Sequence, residues 1–263
     1  MYRFNEYAGV KMRLLLNIFL MTALILAGSL PAQAQTTTSL TGWWKFDEGT
    51  GTTSADSSGN GYTQTLNGSP SWVTGKYGDA LTFNGSSQWT ETSSNVITIG
   101  EGFNGTVTFW AKGTGAAVSN NRTGGSNPGE GQVNISGTGQ LSYTVDTNSG
   151  PPYTYTYTTT ATSTTTAWNF YAVQINVPTS SGNMVGVAYI NGIPYSFSVA
   201  IVINATNGNY QLIDVGRYRN FTYGTTYFTG AIDDVRIYNR ALSQAEVYEI
   251  YEGGNINPIS ESY

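Results

Sequence analysis

The acidic side chains are the first candidates for chemistry in this sequence, because histidine and cysteine are missing. The 263 residues include 16 Asp and Glu but no histidine and no cysteine. Without histidine, a Ser-His-Asp triad and a histidine-ligated zinc ion are excluded. Without cysteine there is neither a thiolate nucleophile nor a disulfide. The carboxylates could serve in the hydrolysis of a glycosidic bond or in the binding of a hard metal ion.

Glycoside hydrolysis needs two carboxylates beside the bond, about 5–5.5 Å apart for retention of configuration or about 6.5–9.5 Å apart for inversion. The sequence contains two adjacent acidic pairs, Asp47-Glu48 and Asp233-Asp234. Neighbouring residues of a regular strand point to opposite faces, so neither pair forms a dyad by itself. Only two pairs brought together by the fold would do so. We therefore predict that the protein is not an enzyme, with a divergent glycoside hydrolase or lyase as an alternative.

One loop, residues 56–61, has the composition of a calcium-binding loop. Calcium takes six to eight oxygen ligands and mixes carboxylates with backbone carbonyls. The loop reads Asp-Ser-Ser-Gly-Asn-Gly, which offers a carboxylate, hydroxyls and exposed turn carbonyls. The alternative is that Asp56 closes an Asx-turn, in which the side chain bonds to the backbone two residues further on.

Aromatic and amide side chains are candidates for sugar binding, which needs exposed rings to stack on a sugar and polar groups to fix its orientation. Three tyrosines, ending at Tyr157, alternate with threonines and so share one face of a strand. The predicted ligand-binding residues are Trp89, Asn121, Arg122, Tyr153 and Tyr155. The alternative for the tyrosines is packing against a facing sheet. The tryptophans in apolar strands, Trp43 or Trp44, Trp110 and Trp168, are predicted to lie in the core.

The elements that must position these side chains are short β-strands. Only 10% of the residues are charged, whereas 32 are glycine and 19 are tyrosine. Residues 105–112 alternate, 168–177 are apolar enough for a central strand, and Asn191-Gly192 predicts a hairpin. Residues 113–130 are interpreted as a long loop. About a dozen short strands predict an all-β antiparallel sandwich of the jelly-roll kind with one short C-terminal helix.

The stretch from Gly230 to Val247 predicts a strand, a turn and a capped helix. Its apolar residues do not alternate strictly, because Asp233-Asp234 adds one residue, as a β-bulge would. Ser243 and Glu246 form an S-x-x-E capping box, with Leu242 and Val247 placed for a hydrophobic staple.

This stretch and four blocks before it resemble the laminin G-like domains of the concanavalin A-like lectin/glucanase superfamily. The four blocks are Trp44-Lys-Phe-Asp-Glu-Gly-Thr-Gly, Asp56-Ser-Ser-Gly-Asn-Gly, Gly75-Lys-Tyr-Gly-Asp-Ala-Leu-Thr-Phe-Asn-Gly and Thr106-Val-Thr-Phe-Trp-Ala-Lys. Within the stretch itself the resemblance lies in Ile232-Asp-Asp-Val-Arg-Ile-Tyr-Asn-Arg-Ala-Leu-Ser. The resemblance implies a concanavalin A-like jelly roll closed by its terminal strands. The E-x-D-x-x-E pattern of the glucanase branch is absent.

The resemblance also implies that a calcium ion ties the terminal strands together. We expect Asp47, Asp56 and Asp233 to be its ligands, with Asp234 as the substitute for Asp233, since the sequence does not assign the bulge. It further implies a glycan or glycoprotein as partner, in adhesion or polysaccharide capture. The alternative is a structural module that contacts proteins. A net charge of −5 argues against a nucleic-acid partner.

The domain boundaries follow from composition. Residues 1–34 are predicted to be a signal peptide, with Lys11 and Arg13 before an apolar run and Ala32-Gln33-Ala34 as the cleavage site; a membrane anchor is the alternative. Either Met1 or Met12 is the start. A polar lead-in (35–40), the domain (41–252) and a tail (253–263) follow. The mature protein is expected to be extracellular or periplasmic, with no membrane span.

Overall fold

The computed structural model describes residues 39–94, 96, 99–121, 130–147, 154–202, 212–220 and 224–253, and only the backbone of Asn121 and Asn220. The predicted signal peptide, most of the lead-in and the tail after residue 253 lie outside these ranges, as do Arg122 and Tyr153. Within the described ranges, no helix has the length and the apolar character that crossing a membrane takes.

The described residues form seventeen strands and one helix. In chain order they are β1 (Leu40–Trp44), β2 (Thr53–Ser54), β3 (Gln64–Asn67), β4 (Ser71–Thr74), β5 (Asp79–Asn84), β6 (Trp89–Thr92), β7 (Asn104–Asn121), β8 (Gly131–Ile135), β9 (Leu141–Asp146), β10 (Thr154–Thr158), β11 (Asn169–Asn176), β12 (Gly182–Ile190), β13 (Ile193–Ile201), β14 (Leu212–Val215), β15 (Arg217–Asn220), β16 (Gly224–Tyr227), β17 (Thr229–Tyr238) and α1 (Gln244–Gly253). This is the predicted all-β class with one C-terminal helix.

The strands pair antiparallel in two layers. The first layer runs β4-β5-β17-β7-β11-β12-β13, and β1 pairs with the far end of β17. The second layer runs β10-β9-β8-β7-β14-β6-β3-β2, and β15 with β16 forms a separate ribbon. The expected pairing of the first and last strands is confirmed, and the whole is the predicted jelly-roll sandwich.

Strand β7 belongs to both layers and continues to Asn121, which corrects the first part, 113–121, of the stretch 113–130 that was interpreted as a loop. Its first half pairs with β11 and β17, and its second half pairs with β8 and β14. Between the halves, Gly113 and Gly115 have φ values of 140° and 115°. These angles are open to glycine and strained for other residues, so a glycine-rich segment that resembles a loop continues the strand into the other layer.

The core lies between the layers and is built by strict alternation. On β7, Val107 and Phe109 point inward, and on β11, Tyr171 and Val173 pack beside them. The rings of Phe109 and Tyr171 stack with centroids 5.5 Å apart. Removing large apolar and aromatic side chains from water is the main driving force for this fold.

The C-terminal stretch has the predicted bulge and cap. The register between β17 and β7 shifts between Asp233 and Arg236, and Asp234 has a φ of 51°. At the helix start, the Ser243 amide donates to Glu246 Oε2 at 2.7 Å, and the Glu246 amide donates to Ser243 Oγ at 3.3 Å. This reciprocal pair is the capping box. Leu242 and Val247 are buried in one cluster, as the staple requires.

Helix α1 packs on the outer face of the first layer, opposite the core. There it covers a second apolar cluster that includes Trp110, Phe170, Tyr189 and Ile250. Trp110 and Phe170 are register partners, and both alternate with the core residues of β7 and β11. The first layer is therefore apolar on both faces, and the edge of the helix sets the boundary of the site described next.

Candidate functional site

An open groove of about 280 Å³ lies beside α1, on the outer face of the first layer. Four aromatic side chains line it together with three polar ones: Tyr77, Trp110, Trp168, Tyr251, Lys76, Asn191 and Glu252. They come from the turn before β5, from β7, from the start of β11, from the β12–β13 hairpin and from the end of α1. The groove thus exists only when the terminal helix is docked on the sheet.

The rings of the groove are held by contacts with one another. Trp110 stacks on Tyr251 with centroids 5.8 Å apart and an interplanar angle of 23°, and Tyr77 meets Trp110 edge-on at 5.8 Å. Trp110 is only 3% exposed and forms the floor, whereas Tyr77 is 36% exposed. Trp168 and Tyr251 are partly exposed. Trp110 is buried as predicted, but beneath α1 rather than between the layers, and the prediction that Trp168 is a core residue is wrong.

Two lysines place their ammonium groups on these rings. Lys76 Nζ is 4.3 Å from the centroid of Trp110 and 5.8 Å from that of Tyr77. Lys112 Nζ is 5.3 Å from the centroid of Trp168. Each pair has the geometry of a cation–π interaction.

The amide of Asn191 is fixed by the hairpin. Its Oδ1 accepts the Phe170 N–H at 2.9 Å, and its Nδ2 donates to Asn169 Oδ1 at 2.9 Å. The residue itself has a φ of 50°, and Gly192 one of 78°, as the predicted Asn-Gly turn requires. This side of the groove is therefore rigid.

A second, acidic cavity of about 120 Å³ shares Tyr77 with the groove. Its lining residues are Trp43, Lys45, Asp47, Tyr77, Asp233, Asp234 and Gly253. It thus contains residues of both acidic pairs that the sequence analysis singled out, brought together by the first and last strands. Two of the predicted calcium ligands, Asp47 and Asp233, line this cavity.

Asp233 is the most constrained acid of this cavity. It is 1% exposed, and its Oδ2 accepts the backbone N–H groups of Lys76 at 2.8 Å and Tyr77 at 3.0 Å. Burial raises the pKa of Asp233 to about 7, and the nearby Asp234 and Asp47 add to the rise. Among the described residues nothing donates a hydrogen bond to its other oxygen, Oδ1. A buried oxygen that accepts no hydrogen bond lowers the stability of the folded protein unless a cation or a proton binds to it.

Asp234 lines the same cavity, but both of its oxygens are engaged by neighbouring side chains. Its Oδ1 accepts Trp43 Nε1–H at 2.5 Å, and its Oδ2 pairs with Arg236 at 2.8 Å. The Arg236 guanidinium also lies 4.5 Å from the ring centroid of Trp43. Asp234 therefore neutralises a buried arginine. Of the two adjacent acids, Asp233 is the one with an oxygen, Oδ1, that accepts no hydrogen bond from the described residues.

Asp56 makes the Asx-turn that was the alternative to calcium binding. Its carboxylate accepts the Ser58 N–H at 2.8 Å, the Ser58 hydroxyl at 2.8 Å, the Tyr62 N–H at 3.1 Å and the Trp43 N–H at 3.0 Å. It fastens its loop to β1 and is not among the cavity residues. In the part of the chain that the structure describes, no three acidic side chains gather as a metal cluster.

The predicted sugar-binding residues do not form one site among the described residues. Trp89 lies on β6, where the Arg217 guanidinium covers its ring at 3.9 Å and Tyr227 is 6.3 Å away. Tyr155 is partly buried and packs against the interlayer core, as the alternative for the tyrosines supposed. Asn121 ends β7, and its side chain, like Arg122 and Tyr153, is outside the described residues.

Comparison with known families decides the assignment. A laminin G-type family model, described as the concanavalin A-like lectin/glucanases superfamily, matches residues 83–248, more than half of the chain. This chain belongs to the concanavalin A-like lectin/glucanase superfamily. No curated protein is similar enough in sequence to be recognised as a relative.

Solved structures share the fold of this superfamily member at low sequence identity. Domain 4 of AbnA, a GH43 extracellular arabinanase from Geobacillus stearothermophilus, in complex with arabinotriose, is 20% identical with a TM-score of 0.57, over 81% of this chain and 98% of that one. The binding domain of Paraclostridial Mosquitocidal Protein 1 is 17% identical with a TM-score of 0.57, over 84% and 53%. That of Botulinum Neurotoxin DC in complex with SialylT is 14% identical with a TM-score of 0.57, over 82% and 51%. The chain thus spans about half of both toxin domains.

One charged cluster of the superfamily member was not predicted. Arg217, at the start of β15, is 4% exposed and contacts Asp214 at 2.6 Å and Glu91 at 2.9 Å. Asp214 and Glu91 are register partners on β14 and β6. Burial raises the pKa of Asp214 to about 7, although Arg217 acts in the opposite direction. Nothing in the sequence pairs residues 91 and 214, so only the strand order could have revealed this cluster.

Proposed function

We propose that this protein is a secreted, non-catalytic module that binds a carbohydrate or a glycoprotein. The observation that carries the proposal is the aromatic groove beside α1. Three of its four aromatic side chains, Tyr77, Trp168 and Tyr251, are at least partly exposed and can meet the C–H groups of a sugar, and Lys76 and Glu252 offer polar groups. Open clefts with aromatic walls and a few fixed polar groups are the usual form of small-ligand sites.

Solved structures with the same fold support a function of this class. Domain 4 of the arabinanase holds arabinotriose, and a botulinum binding domain is seen with SialylT. Because the same fold carries many functions, the argument for this chain rests on its own groove and not on the likeness alone. Export by residues 1–34 would place the groove where extracellular polysaccharides and glycoproteins are found.

The ion pairs and hydrogen bonds made by Glu91, Asp214, Asp233 and Asp234 support binding without catalysis. Glu91 and Asp214 lie side by side, but Arg217 pairs with both of them. Asp234 is paired with Arg236, and Asp233 accepts two backbone N–H groups. A glycosidase needs one carboxylate that holds a transferable proton and a second that is free to attack or to activate water. These acids hold the fold together instead.

We expect Trp168→Ala to weaken glycan binding by about tenfold or more, because removing a central aromatic anchor typically has an effect of that size. The measurement is a glycan-array screen of the purified protein, followed by titration of the best glycan by calorimetry. Trp72→Ala is the matched control, since Trp72 is a partly exposed tryptophan on β4 that does not line the groove. A blank array from folded protein would reject the glycan and point to a module that contacts proteins.

We propose that calcium binds in the acidic cavity and ties the terminal strands. Asp47 and Asp233 would hold it, because Asp47 is exposed and Asp233 Oδ1 is buried without a donor among the described residues. The other ligands would be backbone carbonyls and water, as Ca²⁺ accepts. The Asp56 carboxylate already accepts four hydrogen bonds. The ion would stabilise the fold and compensate the Asp233 charge.

Removal of calcium is expected to lower the melting temperature by about 5–10 °C, the equivalent of a site occupied at about 100 times its Kd. Differential scanning calorimetry in EDTA, and again after Ca²⁺ is restored, measures the shift. Asp47→Asn and Asp233→Asn should lose the response to Ca²⁺. Glu48→Gln should keep it, because Glu48 lies outside the cavity and accepts the Ala55 N–H. Equal melting temperatures in EDTA and Ca²⁺ would remove the site.

A further inference from the structure

The lysines of this chain are few, and those in the described domain all contact aromatic rings. Lysine occurs at positions 11, 45, 76 and 112 only. The last three are in the described domain, and each places its ammonium group on an aromatic ring: Lys45 on Trp43 at 4.4 Å, Lys76 on Trp110 at 4.3 Å and Lys112 on Trp168 at 5.3 Å. A chain with a net charge of −5 thus concentrates its domain lysines on aromatic side chains.

These lysines share one face of the molecule. Lys112 and Trp110 point away from the core on β7, because the residues between and before them, Ala111 and Phe109, belong to the interlayer core. Trp168 directly precedes Asn169, the register partner of Ala111, which places it beside Lys112. Lys76 lines the groove. The groove therefore has one ammonium group at its rim and a second at Trp168.

The acids nearby offset these charges only in part. Asp234 is neutralised by Arg236, and Asp233 is buried in the neighbouring cavity. Glu252 lines the groove and is hydrogen-bonded by the Tyr248 hydroxyl. Among the described residues no carboxylate lies within salt-bridge distance of Lys76 or Lys112, whose contacts are with aromatic rings, so each ammonium keeps hydrogen-bond donors for a ligand. Cation–π contact holds an ammonium in place without neutralising its charge.

We propose that the groove binds an acidic saccharide, a sugar with a carboxylate or sulfate group. The ring of the sugar stacks on Trp168, and its anionic group is bound by Lys76 and Lys112. The inference rests on the proposed function and adds the class of ligand. Complementary charge gives specificity among otherwise similar sugars, because a neutral sugar leaves both ammonium groups without a partner.

The test compares acidic polymers with neutral forms of the same backbone, by affinity electrophoresis and calorimetry on the whole protein. Polygalacturonate is set against its methyl ester, and dextran sulfate against dextran. These two pairs distinguish a carboxylate from a sulfate ligand. We expect one acidic polymer to bind about tenfold more tightly than the neutral polymer with the same backbone, because two partly exposed charge contacts together have an effect of that size. The preference should shrink as NaCl is raised.

The variant Lys76→Gln/Lys112→Gln should lose the preference for the acidic polymer while its melting temperature stays unchanged. Lys45→Gln is the matched control, since it removes the same charge beside the acidic cavity and should change binding less than about twofold. Equal binding of neutral and acidic polymers, or an equal loss in Lys45→Gln, overturns the inference. If neutral binding is still sensitive to Trp168→Ala, the proposed function survives that result. Absence of binding to every polymer also overturns the inference, and the glycan array then decides whether the proposed function stands.

Discussion

Replacing Arg217 by alanine is expected to lower the free energy of unfolding by about 3–5 kcal/mol, the usual effect of removing one partner of a buried ion pair. Arg217 is 4% exposed, and its Nε donates to Asp214 Oδ2 at 2.7 Å. Asp214 is fully buried, so the variant leaves a carboxylate inside the protein without its cation. The Trp89 ring also loses the guanidinium that covers it at 3.9 Å.

The effect of this variant should depend on pH, with a definite sign. Burial raises the pKa of Asp214 to about 7 in the folded protein, above its ordinary value of 3.8. A group with a raised folded pKa contributes stability at low pH, and that contribution is lost as pH rises through the folded pKa. Without Arg217 the pKa would rise further. The loss of stability should therefore be larger at pH 8 than at pH 5.

Urea unfolding of Arg217→Ala at pH 5 and pH 8 measures both the size and the sign. Arg240→Ala is the control, because Arg240 pairs with Glu246 at 2.5 Å but its side chain is 35% exposed. A pair this open to solvent is worth about 0–1 kcal/mol. Similar losses for the two variants, or a larger loss at pH 5, would show that the Arg217 cluster is not the buried ion pair described above.

Replacing Gly113 by alanine should destabilise the protein by about 3 kcal/mol or more, since backbone strain and overpacking each contribute about 1–3 kcal/mol. Gly113 has a φ of 140°, and a methyl group there would overlap the carbonyl oxygen of Thr229. The two strands cannot separate to make room without breaking the register between β7 and β17.

The comparison for this glycine is Gly137→Ala, in the turn between β8 and β9. No heavy atom lies within 4 Å of the position that a methyl group would take there. Thermal and urea unfolding should show a change within about 0.5 kcal/mol for this variant, as at other open surface positions. A Gly113→Ala protein as stable as Gly137→Ala would mean that the two layers do not depend on the close approach at residue 113.

Local signals in the sequence predicted much of the first layer. The extra residue at Asp233-Asp234 became a bulge, Ser243 and Glu246 became a capping box, and Asn191-Gly192 became a hairpin turn. Each of these depends on residues close together in the chain, whose types permit few backbone conformations. The sequence resemblance added the pairing of β1 with β17, which no local pattern contains.

The candidate site was harder to predict, because its parts are distant in sequence. The sequence predicted Trp110 and Trp168 to be core residues. The pattern of an apolar strand does not indicate which of its faces a helix will cover. Lys76 and Tyr251 belong to the groove only because α1 docks beside the turn before β5. The tyrosines near residue 155 alternate as a binding row would, yet packing between layers gives the same pattern.

The antiparallel pairing of β1 with β17 has a consequence for how this domain can be carried by a larger protein. The Asn239 N–H donates to the Ser39 carbonyl at 2.8 Å, so the strands begin and end at one corner of the sandwich, from which the chain continues into α1. Domains with adjacent ends can be inserted into a host loop or circularly permuted with little disturbance. A host of this domain would have to keep α1 docked, because the chain passes from this corner through α1, and new ends could be opened at a distant turn such as that around Gly137.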